Sequence, residues 1–324
     1  MKAFQYDNPE TGLCLRDIPI PEPGPGHVQL QVKAAGMCHS DCNIIEGRGE
    51  EWLSKKPTTL GHEVAGVITK LGPDVTGYYI GDRITVSLPG YPIEDRGWPD
   101  CIGIGHDGGY AEFAVTPVSR LVRIPDNVSF EQAAVATDAL ATSYHAIMVT
   151  AGAKPGMTLG VIGLGGLGLS GLTFGVISGA TVYGFDIVQA KFKEAKEVGA
   201  HACFQSLDEA SDVTFDVIVD FAGVGSTTRS ALQAIREGGK VVVIGLGAEN
   251  ISVPVSDLVL HSKSLEGSVG SSVEDLERVL ELLQERRIKP LLAEFPFEET
   301  SERLSALGRG GVVGRLWTDP SKGV

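Results

Sequence analysis

Basic residues are scarce: 27 Lys and Arg against 41 Asp and Glu leave a net charge of −14 on 324 residues. Phosphate backbones select clustered Lys and Arg, so no nucleic-acid partner is expected. Cysteine is sparse too, and five in a chain this long cannot form a disulfide framework. Apolar runs break well before the ~20 residues of a membrane span, so no membrane partner is expected either. The opening Met1-Lys2-Ala3-Phe4-Gln5-Tyr6-Asp7 lacks the apolar core of a signal peptide, and a cytoplasmic location is the expectation. What the chain has in excess is glycine. Its 42 glycines follow no collagen period and therefore mark many tight turns. At roughly 150 residues per domain, the length suggests two domains.

Two kinds of pattern divide the chain. Over about the first 120 residues, short strands alternate with Gly and Pro turns, among them Val28–Val32, Val64–Ile68 and Arg83–Val86. The stretch 19–26 carries four prolines and cannot be helical. An Ala-rich helical pattern follows between about 130 and 150. From about 157, apolar runs at Thr158–Ile162, Ala180–Phe185, Thr214–Val219 and Lys240–Ile244 alternate with helix-length segments. That spacing predicts βαβ units and a buried parallel sheet, an α/β architecture. Ser271-Ser272-Val273-Glu274 is a capping-box signature for a helix starting near 272, with apolar residues at 276, 279, 280 and 283 on one face. After Pro290 the pattern returns to turns and short strands.

Gly163-Leu164-Gly165-Gly166-Leu167-Gly168 satisfies GxGxxG between a strand and a helix, and Asp186 closes the next strand. Gly163 permits the tight turn, Gly165 lets the backbone approach a pyrophosphate, and Gly168 lets helix and strand pack closely. The N–H groups from Gly166 and Leu167 onward open a helix N-terminus suited to phosphate. Asp186 would accept the adenosine ribose hydroxyls and repel a 2′-phosphate, which favours NAD over NADP. The competing reading is a Gly-rich turn in another α/β fold.

Gly36-Met37-Cys38-His39-Ser40-Asp41, Gly61-His62-Glu63-Val64-Ala65-Gly66, Gly81-Asp82-Arg83-Ile84 and Gly108-Gly109-Tyr110-Ala111-Glu112 precede that fingerprint, and Gly314-Arg315-Leu316 follows near the end. Together they resemble the medium-chain, zinc-dependent alcohol dehydrogenase family. The resemblance implies a GroES-like, mostly-β catalytic domain at 1–139 and 287–324, a Rossmann NAD-binding domain at 140–286, and a cleft between them. It implies a catalytic zinc on Cys38, His62 and Asp138, the last where many members have cysteine, with Glu63 as an alternative metal contact. Thiolate plus carboxylate plus neutral imidazole still balances a 2+ ion. Asp138 has a second reading as a cap of the Ala-rich helix. Asp41 resembles the carboxylate that orients a ligating histidine, and Ser40 the hydroxyl that touches the substrate oxygen. His39 and Arg315 resemble pyrophosphate contacts, and Lys191 resembles the lysine at the adenosine ribose. Each of these three has a bland alternative as an ordinary surface charge.

Two departures from the family pattern stand out. Only Cys101 lies where many members carry a four-cysteine lobe for a structural zinc, so one zinc per chain is expected. Asn43 stands where a histidine commonly ends the proton relay, and an amide has no titratable proton. The resemblance implies oxidation of primary or secondary alcohols, or reduction of aldehydes and ketones, in a homodimer or homotetramer. The alternatives are reduction of an activated C=C or C=N bond, and a nucleotide-binding protein without turnover.

Overall fold

The computed structural model describes residues 1–310 and 312–323. The chain divides into two compact units, Met1–Ala141 with Gly270–Val324, and Thr142–Val269.

The first unit begins with β1 (Lys2–Tyr6), β2 (Leu13–Asp17), β3 (His27–Gly36), β4 (Thr58–Thr59), β5 (Glu63–Leu71), β6 (Arg83–Val86), β7 (Phe113–Pro117) and β8 (Leu121–Arg123). One small sheet has the order β2-β1-β4, and β3 is central in a larger one, flanked by β5 and β7. Val28, Leu30, Val32, Val64, Ile68 and Ile84 fill its core together with Phe4 and Tyr110. The antiparallel register of β3 and β5 pairs Gly36 with Glu63. That single pairing sets the segment after β3, which carries Cys38, beside the turn before β5, which carries His62. Gly36 must stay bare there, because a Cβ would come within 1.9 Å of Glu63 Oε2. Helix α1 (His39–Ile45) starts directly after Cys38.

The Ala-rich segment forms α2 (Phe130–Val135), a π-helical turn at Ala136–Leu140, and α3 (Ala141–Tyr144). The sequence pattern there shows helix but not the wider turn, since π-bulges leave no periodic signature of their own.

In the second unit β9 (Thr158–Ile162), β10 (Thr181–Phe185), β11 (Ala202–Phe204), β12 (Phe215–Asp220), β13 (Ile235–Val243) and β14 (Ser264–Gly267) form one parallel sheet. Its order is β11-β10-β9-β12-β13-β14. Counted from β9 this is 3-2-1-4-5-6, the doubly wound order, with the reversal between β9 and β12. Helices α4 (Gly166–Ile177), α5 (Phe192–Glu197), α6 (Ser226–Ala234) and α7 (Val255–Val259) lie between the strands in sequence.

The chain then rejoins the first unit through α8 (Val273–Gln284), β15 (Leu292–Glu294), α9 (Thr300–Gly308) and β16 (Arg315–Thr318). Three features differ from the sequence expectation. The capping box is Ser272 with Asp275, one residue later than the sequence signature. Helix α8 falls in the first compact unit, which resumes at Gly270, whereas the sequence expectation carried the nucleotide-binding part to 286. Its apolar face, Leu276, Val279, Leu280 and Leu283, is buried, and α8 packs on the π turn and β8. A helix also occupies 300–308, where turns were expected. Only Leu304 and Leu307 of its residues are apolar and buried, too few for a periodic signal, and the helix is held by packing on α1.

No helix among the described residues is long and apolar enough to cross a membrane.

Candidate metal centre and nucleotide cradle

In the first unit, Cys38 Sγ, one ring nitrogen of His62 and a carboxylate oxygen of Asp138 lie within 4.8 Å of one another, all buried. Asp138 Oδ2 is the common point, 3.2 Å from Cys38 Sγ and 3.6 Å from His62 Nε2. A tetrahedral zinc with ordinary bond lengths separates its ligand atoms by about 3.3–3.6 Å, and the two separations from Asp138 Oδ2 are close to that range. Zinc accepts this mixture of thiolate, imidazole and carboxylate.

Each donor is placed by a different element. Cys38 is the N-cap of α1, and its backbone N–H donates to Asp41 Oδ2 at 3.1 Å. His62 precedes β5, and Asp138 lies in the π turn. That turn also directs the Ala139 N–H to Glu63 Oε1 at 3.2 Å. Behind the cluster, His62 Nδ1 faces Asp41 Oδ1 at 3.3 Å. Both atoms are buried, and this close approach is not accompanied by a well-aligned hydrogen bond from either. The geometry leaves Nε2 toward Cys38 and Asp138.

The electrostatics ask for a cation. Burial alone would lower the His62 imidazole, but Asp41, Asp138 and Cys38 outweigh it and hold it well above its ordinary 6.5. Burial would raise Asp138, yet His62 and Arg315 hold it below the usual carboxylate range. A metal entering here takes the place of the imidazole proton.

Arg315 is not the ordinary surface charge of its alternative reading. It is 5 % exposed and donates from Nε to Glu63 Oε2 at 3.2 Å, from Nη2 to Glu63 Oε1, and from Nη2 to Asp138 Oδ2 at 3.1 Å. The structure thus shows it as a buried partner of two carboxylates, reached because β16 pairs with β3. The Glu63 oxygens accept from Arg315 and the Ala139 N–H, and Glu63 is outside the three-residue cluster. Burial raises the Glu63 carboxyl to about 7 against the opposing pull of Arg315.

Ser40 lies on α1 with Oγ 3.5 Å from Cys38 Sγ, and it is half-buried where the three donors are buried. His39 is exposed at the first position of α1, and Asn43 is half-buried one turn on. Cys101 is buried, and burial pushes its thiol up to about 12. Sequence reasoning missed Tyr110, whose O–H donates to Asp41 Oδ2 at 2.7 Å and also lies 3.1 Å from Gly36 O. The Gly-Gly-Tyr motif marks the position, but nothing in it names a partner 69 residues away.

In the second unit the glycine fingerprint turns between β9 and α4. Gly163 has φ +84°, a left-handed conformation suited to glycine. A Cβ on Gly168 would stand 1.7 Å from Gly163 O, whereas one on Gly165 would meet no protein atom within 4 Å. The space beside Gly165, the N-cap of α4, is open to a close backbone approach, and the helix start presents the N–H groups of Gly166 and Leu167. Asp186 stands at the end of β10, 8 % exposed. Its Oδ2 accepts from Leu164 N and Lys191 Nζ, each at 2.8 Å, and its Oδ1 from Val188 N at 2.9 Å. Lys191 and Asp186 are thereby brought together, with exposed Ile187 beside them.

A parallel 3-2-1-4-5-6 sheet with this cradle, joined in one chain to a β-rich unit with a thiol–imidazole–carboxylate cluster, defines a metallo-oxidoreductase class. Comparison with known proteins agrees. Residues 24–126 match the family described as alcohol dehydrogenase GroES-like domain, and 166–285 match zinc-binding dehydrogenase. The chain is 31% identical to an alcohol dehydrogenase of Geobacillus stearothermophilus over 98% of both chains. It is 30% identical to an NAD-dependent alcohol dehydrogenase of Sulfurisphaera tokodaii, covering 97% of this chain and 99% of that one. The structure of acetophenone reductase from Geotrichum candidum in complex with NAD superposes with a TM-score of 0.91 at 29% identity, over 100% of this chain and 98% of that one. The chain belongs to the zinc-dependent alcohol dehydrogenase family of the medium-chain dehydrogenases/reductases.

Proposed function

We propose that this protein is a zinc-dependent, NAD-linked alcohol dehydrogenase or carbonyl reductase acting on small primary or secondary alcohols and the matching aldehydes or ketones. The observation that carries the reading is the convergence of Cys38, His62 and Asp138, with Asp41 behind the imidazole. In the oxidative direction an alcohol and NAD⁺ give a carbonyl compound, NADH and one proton. Bound zinc supplies Lewis acidity at the substrate oxygen, and the nicotinamide supplies or accepts the hydride.

The chain's own residues do the rest. Cys38, His62 and Asp138 would hold the ion, and two anionic donors would balance its charge. Arg315 holds Asp138 from behind and also pins Glu63. Ser40, the half-buried hydroxyl nearest the thiol, takes the substrate proton and passes it outward. At Asn43 no imidazole continues the relay, so water receives that proton. Gly165 and the α4 N-terminus would cradle the pyrophosphate, while Asp186 and Lys191 would address the adenosine ribose. A homodimer or homotetramer is the assembly expected in this family, and light scattering measures it.

The test combines elemental analysis with a panel of alcohols, carbonyl compounds and activated alkenes followed by nicotinamide absorbance. One zinc per chain with turnover of alcohols or carbonyls is the expected result. A ratio near two, or full activity without metal, overturns the metal assignment. Turnover confined to alkenes replaces the reaction by C=C reduction, the alternative that Asn43 supports.

A further inference from the structure

Tyr110 is among the largest fully buried side chains of the first unit. Its ring and its hydroxyl do different things. The ring lies against Gly61, the residue before His62. There φ is +94°, and a Cβ would approach the ring and the Tyr110 backbone N to within 2.7–2.8 Å. The Tyr110 backbone N–H donates to Leu60 O at 3.0 Å, which fastens the same turn. The hydroxyl reaches the other ligand-bearing segment, at Asp41 Oδ2 (2.7 Å), with Gly36 O at 3.1 Å. A phenol has one proton, and the shorter, charge-assisted contact to Asp41 is the stronger claimant.

Asp41 then has its two oxygens committed to different tasks. Oδ2 accepts from the Tyr110 O–H and from the Cys38 N–H, while Oδ1 faces His62 Nδ1. Two donors on one oxygen fix the rotation of the carboxylate, and a fixed carboxylate selects the imidazole tautomer with its proton on Nδ1. Nε2 is thereby left as the donor atom toward Cys38 and Asp138. Phenylalanine would fill the same space, so the hydroxyl contributes the hydrogen bond and little to packing.

We propose that Tyr110 is a positioning residue for the metal centre, acting through Asp41 to hold His62 in its ligating orientation. This rests on the zinc reading above, and the test separates the two. Wild type, Tyr110→Phe, Asp41→Asn and the double variant are loaded with zinc, and its loss to a chromophoric chelator is followed at fixed pH. The melting temperature of each metal-stripped protein is measured alongside. Asp41→Asn is expected to weaken zinc binding roughly 10–100-fold, as removal of such partners does. Tyr110→Phe is expected to weaken it about 3–10-fold, the worth of one charge-assisted hydrogen bond felt at one remove. The double variant should match Asp41→Asn to within about twofold, because the hydroxyl acts only through that carboxylate. Tyr110→4-aminophenylalanine restores a donor at the same place and should recover zinc retention, also covering the case in which the Phe variant folds poorly.

Unchanged zinc affinity in Tyr110→Phe overturns the proposal, as does an effect that multiplies fully onto that of Asp41→Asn. A fall in the stripped protein's melting temperature equal to that of the loaded one assigns the hydroxyl to the fold and also overturns it. A wild-type protein that takes up no zinc overturns the metal reading together with this one.

Discussion

At the scale of single residues, Asp138 carries the most weight, because its Oδ2 meets the thiol, the imidazole and Arg315 at once. Asp138→Asn keeps shape and volume but removes one of two anionic ligands and leaves the Arg315 guanidinium facing an amide. Zinc affinity should fall at least about tenfold, read by chelator competition, since the metal's binding energy depends on charged donors. Undiminished affinity would exclude position 138 from the ligand set. Asp186 makes a comparable decision for the cofactor. Its carboxylate is turned by two backbone N–H groups, and the flanking Ile187 is exposed and open to replacement. The pair Asp186→Gly with Ile187→Arg should shift kcat/KM toward NADP, with some loss of NAD turnover because the fingerprint turn loses the Leu164 N–H acceptor. A wild-type protein that already prefers NADP in steady-state kinetics would contradict the reading of this strand end.

At the scale of elements, two glycines of one motif should behave in opposite ways. Gly168→Ala places a methyl 1.7 Å from a backbone oxygen, a clash only backbone movement relieves. The cost should be about 2–4 kcal/mol, seen as early melting of the second unit. Gly165→Ala meets no protein atom within 4 Å. It should melt nearly as wild type yet lose most of the stabilisation that added NAD confers. Equal melting behaviour of the two variants would remove the assignment of the space beside Gly165 to a phosphate. A second element-level prediction concerns Asp216 of β12, which accepts from Arg236 Nε and Thr158 N, both at 2.8 Å, and so joins the starts of β9, β12 and β13. The Arg236 bond, then the Thr158 N–H, hold its carboxyl below the ordinary value despite the opposing effect of burial. A depressed folded value means that the stabilisation is complete above the unfolded value of about 3.9 and is lost as pH falls toward the folded one. Asp216→Asn should therefore be less stable by roughly 0.5–1 kcal/mol near neutral pH, a modest figure because the pair is part exposed and screened by salt. The wild-type and variant stability curves should converge below about pH 3–4. A gap that widens toward acid would reverse the sign and defeat the account.

At the scale of the whole molecule, the candidate metal donors lie in the first unit and the glycine fingerprint with Asp186 lies in the second. Each ligand should accordingly stabilise its own unit. Chelation should lower the melting of the first unit by the lost binding energy, about 2.7 kcal/mol if zinc stands at 100 times its dissociation constant. The unit of Thr142–Val269 should change little. NAD should do the converse. Differential scanning calorimetry with chelator and with NAD separates the two, and a chelator effect confined to the second unit would place the metal elsewhere.

Much of this protein was legible in its sequence. Strand-sized apolar runs at Thr158–Ile162 and Arg83–Val86 coincide with β9 and β6, because local period and turn chemistry are encoded within a few residues. The GxGxxG turn and its Asp186 were readable for the same reason. The Cys38 and His62 motifs were readable one at a time, though their meeting depends on the Gly36–Glu63 register of β3 and β5. Position 138 was within reach, but its placement required the π turn, which widens one helical turn without altering the hydrophobic pattern. For Arg315 the motif alone left a phosphate contact and a surface charge both open, and said nothing of its carboxylate partners. Only the pairing of β16 with β3 buries it against Glu63 and Asp138, where an unpaired charge would cost far more than a hydrogen-bonded pair. Tyr110 and the membership of α8 in the first unit were decided the same way, by contacts between residues far apart in the chain. Local periodicity can name a residue's element, but its partners follow from which surfaces the folded chain must bury together.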